Sequence, residues 1–298
     1  MMFSSLLTER MGTMMYAFAK RNIMLYFRDK TTVFFSMLSV FILIALYVLF
    51  LADMTSDNLP DFPSKKNLLN AWFIAGILAV TSVTTTLGAF GTLVNDRATK
   101  IDRDFFSSPI SRTGIVGGYI ASALFVGALM CSFTLIVVDV YLLFSTGALL
   151  SIQNTIQLGG IIVLSVVASG SMILLLVSFF RTSNAFAAAS MLIGTFIGFL
   201  AGIYIPIGSL PDYLHPVVTW FPASHSVALF RQVLMETSLA EAFLNAPPGM
   251  KESFQFNMGI FYEINGNPAS KWFSIFYLVG ITILFFILSL IVMMKKKN

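Results

Sequence analysis

Six long apolar runs, each separated from the next by a polar or proline-broken segment, cover most of the chain: residues 33–52, 68–94, 113–144, 158–180, 185–205 and 272–294. A helix needs about 20 apolar residues to cross the hydrocarbon of a bilayer, so each run predicts a spanning helix. The pattern as a whole predicts an all-α polytopic membrane protein, a single transmembrane domain over 1–298. Residues 10–30 differ. Their apolar positions are interrupted by Lys20, Arg21 and Asn22, while Met11, Met14, Met15, Phe18 and Leu25 fall near one helical face. With Arg10, Lys20, Arg21, Arg28 and Lys30 reaching for headgroups, this segment predicts an amphipathic helix lying on the cytoplasmic surface. The alternative is a first turn fused to the next helix.

The stretch from Gly202 to Arg231 breaks the pattern. It follows an apolar run and is itself apolar, yet Pro206, Pro211, Pro216 and Pro222 interrupt it. Each proline removes a backbone donor and disfavours helix in the residue before it. Irregular backbone at membrane depth survives only under cover of protein or beside a water-filled cavity. A re-entrant or interfacial hairpin before the last span is expected, with a plain external loop as the alternative. An amphipathic helix over 228–244 and a polar loop over 246–270 are expected to follow.

The most charged stretch is Asn95–Arg112. It reads as a short helix capped by Asn95, with Asp96 in its first turn and Pro109 at its end. Asp96–Lys100 and Lys100–Asp104 are spaced as ion pairs, and Ala98, Ile101 and Phe105 form a small apolar stripe. Such a helix suits docking into a groove on another protein; a solvated loop that only fixes topology is the competing reading. Within the spans, the hydroxyl patch Thr81-Ser82-Val83-Thr84-Thr85-Thr86 reads mainly as packing glue, with Thr84 and Thr85 as candidates for a pathway. Asp139 is an intramembrane carboxylate near the end of its span, a functional candidate by residue type.

Composition narrows the function. Charged residues make up 11% of the chain and mean hydropathy is +0.86, against about 25% charged in a soluble domain. The net charge of +4 lies beside apolar spans and is not a nucleic-acid footprint. With both ends inside, Arg10, Lys20, Arg21, Arg28, Lys30, Arg97, Lys100, Arg103, Arg112, Arg181, Lys295, Lys296 and Lys297 are cytoplasmic. Only Lys65, Lys66, Arg231, Lys251 and Lys271 are external. That bias places both termini in the cytoplasm of a plasma-membrane protein and the proline-broken stretch outside. Cys131 excludes an internal disulfide and a cysteine metal cluster. No cleavable signal peptide is expected, since residues 1–30 lack a continuous apolar core. His215 and His225 are expected to be structural rather than a metal pair. There is no P-loop pattern, so no nucleotide or other cofactor is expected on this chain. No span carries a carboxylate or lysine near its middle, which argues against ion-coupled transport.

Two local motifs, in this order and on these sides of the membrane, resemble those of the ABC-2 type transporter permeases, the membrane subunits of bacterial ATP-binding-cassette exporters. One is Asn95-Asp96-Arg97 through Ser108-Pro109-Ile110-Ser111-Arg112, although family members often carry Glu where Asp96 stands. The other is Gly202-Ile203-Tyr204-Ile205-Pro206, Leu210-Pro211, and Pro222 through Arg231. The resemblance implies that residues 97–107 form a coupling helix resting on a separate ATPase, with Asp96, Arg97, Lys100, Ile101, Arg103, Asp104 and Phe105 as coupling residues. It implies that the N-terminal helix also touches the ATPase. It further implies that the hairpin, with Pro206, Leu210, Pro211, Pro222 and Arg231, forms an external gate. Two ATPase copies carrying ATP and Mg, a second permease subunit, identical or homologous, and membrane lipid would complete the assembly. The expected function is export of an amphipathic or hydrophobic substrate. The alternatives are a carrier or membrane enzyme using Asp139, and a non-transporting regulatory or immunity subunit.

Overall fold

A computed structural model of the chain describes residues 2–52, 56, 63–107, 111–147, 149–264 and 267–295, and the side chains of all these except 2–11, 39, 106, 112, 267, 294 and 295. The expected polar loop over 53–63, apart from Ser56 and Pro63, the helix stop at Pro109, the Asn265–Gly266 turn and the final lysines 296 and 297 lie outside the described residues, as do the side chains of Arg10 and Met11. Helices α1 (Met2–Arg28), α2 (Lys30–Leu46, continuing as a π-helical turn over Tyr47–Leu51), α3 (Lys65–Ala98) and α4 (Ile101–Ser107) make the first half. They are followed by α5 (Arg112–Thr146), α6 (Ile152–Val177) and α7 (Ser183–Leu200). Among the described residues, six helical segments are long and apolar enough to cross a membrane: Lys30–Leu51, Lys65–Ala98, Thr113–Thr146, Ile152–Val177, Ser183–Leu200 and Lys271–Met293.

α3 is the axis of the bundle. Its 34 residues correspond to about 50 Å of helix, more than the hydrocarbon thickness. Most of its side chains, from Leu68 to Asp96, are buried against α5, α6, α7 and a later helix over Pro222–Leu234. α2, α7 and the last helix, α12 (Lys271–Lys295), lie outside it. Phe34, Phe35, Met191, Leu192, Phe276 and Ile283 are exposed on them, which is the lipid-facing composition of a membrane bundle. The hydroxyls of α3 serve the helix itself. Thr84 Oγ1 donates to Val80 O at 3.0 Å and Thr85 Oγ1 to Thr81 O at 2.6 Å, while Ser82 meets Ser169 of α6 at 3.1 Å.

α1 packs across the start of α5. Its buried stripe is Phe18, Ala19, Asn22 and Tyr26, one helical face. Phe18 was expected there, but Met15 and Leu25 of the expected apolar face lie at its edge, 39% and 38% exposed. The backbone leaves helix at Asp29, whose carboxylate caps α2 by accepting from Thr32 N at 3.1 Å and Thr32 Oγ1 at 2.6 Å. Those hydrogen bonds, the side-chain one first, hold the Asp29 pKa below its ordinary value. α1 is therefore a helix separate from α2.

The fifth span is shorter than the apolar run. α7 stops at Leu200 and the chain reverses through a Schellman turn. Gly202 N donates to Phe199 O at 3.0 Å and Ile203 N to Gly198 O at 2.9 Å. Gly202 has φ +61°, the left-handed conformation that only glycine adopts without strain. Beyond it come two 3₁₀ turns, Ile207–Ser209 and Asp212–Leu214, then α8 (His215–Thr219), α9 (Pro222–Leu234) and α10 (Glu236–Ala242). The expected helix over 228–244 thus begins earlier, because Pro222 takes the first helical position where its missing N–H costs nothing. It breaks at Met235. The expected loop over 246–270 instead holds α11 (Met250–Asn257) and a two-residue antiparallel pair, β1 (Glu263–Ile264) with β2 (Asn267–Pro268). α9 is buried along its length and packs against α3, α6 and α12, so the proline-broken stretch returns into the bundle.

Candidate functional site

Two polar clusters sit on α3, at Trp72 and at Asp96, 24 residues apart in sequence and about 36 Å along the helix. The first cluster is organised by Arg231, which is fully buried on α9. Its Nη2 donates to Gly202 O at 2.7 Å, and its Nη1 to Met258 O at 2.8 Å and Gly259 O at 3.3 Å. Gly202 ends the reversal after α7. Gly259 ends α11 in a second Schellman turn, with Gly259 N donating to Phe256 O at 2.9 Å and Ile260 N to Gln255 O at 2.8 Å. One guanidinium therefore fastens two helix C-terminal turns, where the helix dipole favours a cation. The planar fork of arginine makes both attachments at once. Trp72 of α3 closes the other side. Its ring lies 4.6 Å from the guanidinium carbon, and its Nε1 donates to Met258 O at 2.7 Å. Gln232 Nε2 adds a bond to Ile260 O at 2.9 Å and Tyr262 Oη one to Ser224 O at 3.1 Å.

The two glycines of this clamp differ in what surrounds them, and that gives a graded test. Gly202→Ala is expected to cost about 1–2 kcal/mol, the penalty for a left-handed non-glycine residue. Gly259→Ala, at φ +63°, is expected to cost more, because its new Cβ would also crowd Ile207 and stand 2.9 Å from Arg231 Nη1. Thermal unfolding of the purified variants checks the order.

His215 and His225 brace the same region and are not paired. His215 Nε2 lies 3.1 Å from Ile207 O and 3.0 Å from Leu210 O. His225 bridges Ser274 Oγ at 3.0 Å and Thr219 O at 2.9 Å. No group of His, Cys, Asp or Glu suited to a metal ion occurs among the described residues.

The second cluster joins four helices. Asp96, near the end of α3 and buried, accepts from Arg21 Nη1 of α1 at 2.8 Å and from Arg21 Nη2 at 3.2 Å. It also accepts from Tyr119 Oη of α5 at 2.5 Å. The Arg21 guanidinium lies 4.7 Å from the centre of the Phe105 ring of α4 and 5.5 Å from that of Phe18. Phe18 and Phe105 meet edge to face at 5.0 Å, and so do Phe18 and Tyr119. Close by, Arg97 Nη1 donates to Val177 O at the end of α6, 3.2 Å away.

A family model described as ABC-2 family transporter protein matches residues 52–291. The chain belongs to that family. No match is found among curated proteins. Membership makes the chain a membrane component of a transporter and not itself a catalyst. The matched region holds both clusters except for Phe18 and Arg21 of α1.

In this ABC-2 family protein the charged stretch is not one helix capped by Asn95. α3 runs through Asn95 to Ala98, turns at Lys100 with φ +63°, and α4 starts at Ile101. The i,i+4 pairing of Asp96 with Lys100 and of Lys100 with Asp104 is therefore lost to this turn. Among the expected coupling residues, Asp96, Arg97 and Phe105 face the chain itself, whereas Lys100, Ile101, Arg103 and Asp104 are exposed. Arg231, expected on the external side as one residue of the hairpin, is fully buried on three carbonyls and an indole. Pro206 and Pro211 precede the two 3₁₀ turns and Leu210 follows the first, so all three shape the reversal near the clamp. Asp139 accepts from Leu150 N at 2.8 Å and so closes the α5–α6 connection; it does not meet Thr84 or Thr85, whose hydroxyls bond their own helix. Sequence reasoning missed Arg21, Trp72 and Tyr119. An Arg-Asn pair inside the apolar face of α1 was the available signal for Arg21.

Proposed function

We propose that the chain is the transmembrane subunit of an ATP-driven exporter for an amphipathic or hydrophobic substrate, with both termini in the cytoplasm of the plasma membrane. A separate ATPase, in two copies, carries ATP and Mg and rests on α4; a second permease subunit, identical or homologous, completes the pathway. The observation that carries this reading is how α4 is built. Its inner side is locked to α1, α3 and α5 through Phe105, Phe18, Arg21, Asp96 and Tyr119, while Lys100, Ile101, Arg103 and Asp104 stay exposed. A push on that outer face passes into the end of α3. The same helix grips the Arg231 clamp through Trp72 at its other end, so movement at one end reaches the hairpin at the other.

The test is to purify the chain from native membranes in mild detergent and identify by mass spectrometry what accompanies it. A stoichiometric ATPase is expected with the wild type. Ile101→Asp, a change on the exposed face (Ile101 is 38% exposed), is expected to fold normally and lose the ATPase, because it buries an unpaired charge on docking. Retention of the ATPase by Ile101→Asp would remove α4 as the docking element.

A further inference from the structure

A cavity of about 520 Å³ lies at the Trp72 end of the bundle, between the π-helical end of α2, the first turns of α3 and the last turns of α5. That volume is in the range of small-molecule sites. Tyr47, Lys66, Asn70, Tyr141, Phe144 and Ser145 contribute to its wall. Asn70 is 2% exposed. Its Oδ1 is occupied by the Tyr47 hydroxyl at 2.9 Å, whereas its Nδ2 has only Ser145 Oγ at a long 3.5 Å. The Tyr141 hydroxyl and the Lys66 ammonium have no hydrogen-bond or ion-pair partner among the described residues. The groups left over are thus donors: an amide N–H, a phenol and an ammonium. No carboxylate is among the described residues of the wall. The start of α3 adds the positive end of a helix dipole; its N-cap residue, Ser64, gives its hydroxyl to Glu241, which is not part of the wall, and not to the first turn. The rest of the wall is greasy: Phe144 and Val48 are among its residues, and both are also strongly exposed on the bundle surface. Single π-helical turns of this kind occur often at functional sites.

We propose that this cavity binds an anionic amphipath, one acidic headgroup held by Lys66, Tyr141 and Asn70, with its apolar part along Val48 and Phe144 toward the lipid side. A phosphate-bearing membrane lipid supplies that chemistry, and free phosphate shares the headgroup alone. The site is separate from the ATPase docking face and from the Arg231 clamp, so it stands whether or not the chain exports anything.

The experiment uses the full chain, purified and stripped of lipid in detergent, with its unfolding temperature followed during titration. The probes are dioleoyl phosphatidylglycerol, dioleoyl phosphatidylcholine and inorganic phosphate. The expected result is a saturable rise with phosphatidylglycerol and none with the other two. Lys66→Ala combined with Tyr141→Phe is expected to weaken the apparent affinity about ten-fold. Ala52→Trp, which fills the cavity from its wall, is expected to abolish the rise. Circular dichroism matching the wild type shows that each variant is folded. An equal rise with phosphatidylcholine, an unchanged titration in both variants, or a rise with phosphate alone that matches the lipid would each overturn the proposal.

Discussion

Arg231→Met is expected to release the hairpin from the bundle without dismantling the spans. The substitution keeps an unbranched apolar stem of similar length to the arginine stem and removes the guanidinium. Gly202 O then loses its 2.7 Å donor and Gly259 O its 3.3 Å donor, while Met258 O keeps the Trp72 indole. Hydrogen bonds from a charged donor contribute about 1.5–3 kcal/mol each, and a buried carbonyl left bare carries its full desolvation penalty. Against this stands the cost of burying a charge that pairs with no carboxylate among the described residues, which methionine avoids. Three hydrogen bonds are lost and two of the carbonyls are left bare; that outweighs the relief, and a net local loss of about 3 kcal/mol is expected. The loss should be confined to the segments the clamp ties. Hydrogen exchange in detergent or nanodiscs is therefore expected to speed up across residues 201–221 and 258–264 and to stay unchanged in α3, α5 and α6. Arg231→Lys is a sharper version of the same test. A single ammonium cannot fork between the two turns, so one of the two segments should remain protected and the other open. Unaltered exchange in both segments for both variants would mean that packing of α9, and not the guanidinium, holds the hairpin.

How much of this could be read from sequence depends on whether the signal is local. The six spans were legible because the length of an apolar run is fixed by the bilayer and needs no knowledge of neighbours. The return of the chain after the fifth span was legible from four prolines in an apolar setting. The helix end at Leu200 was not, because Gly194, Gly198 and Gly202 recur at a spacing that suggests close packing. Only the 61° φ of Gly202 distinguishes the last of them as a turn. Arg231 was expected on the external side within the hairpin, and nothing in the sequence says that three carbonyls from two distant turns converge on it. Asn95 has the chemistry of a helix cap, but tertiary contacts of Asp96 and Arg97 keep α3 helical past it. Tyr119 and Trp72 lie in apolar runs, where an aromatic residue is the ordinary core choice; only partners remote in sequence make them polar anchors.

Asp96→Ala is expected to disconnect α1 from α3 and, with it, to unseat α4. In the native arrangement the carboxylate accepts three hydrogen bonds, two from Arg21 and one from Tyr119. Truncation leaves a guanidinium and a phenol facing an apolar gap. Breaking a fully buried ion pair costs about 3–5 kcal/mol. The Arg21 side chain is 31% exposed while Asp96 is 4%, so solvent repays part of that and about 2–3 kcal/mol is the expected loss. The ring of Phe105 lies against the same guanidinium, and Arg21 turning outward toward water removes that contact too. Exchange should therefore quicken in residues 12–28 and 101–107 together, although α4 itself carries no substitution. A double-mutant cycle with Arg21→Met separates the pair from the rest: coupling of about 2 kcal/mol is expected between the two sites. Asp96→Asn retains an acceptor for Tyr119 but not the ion pair, and should fall between wild type and Asp96→Ala. If α1 loosens in Asp96→Ala while α4 keeps wild-type protection, then α4 is held by Phe18 and Phe105 alone, and the carboxylate has no part in transmitting movement from α4 into α3.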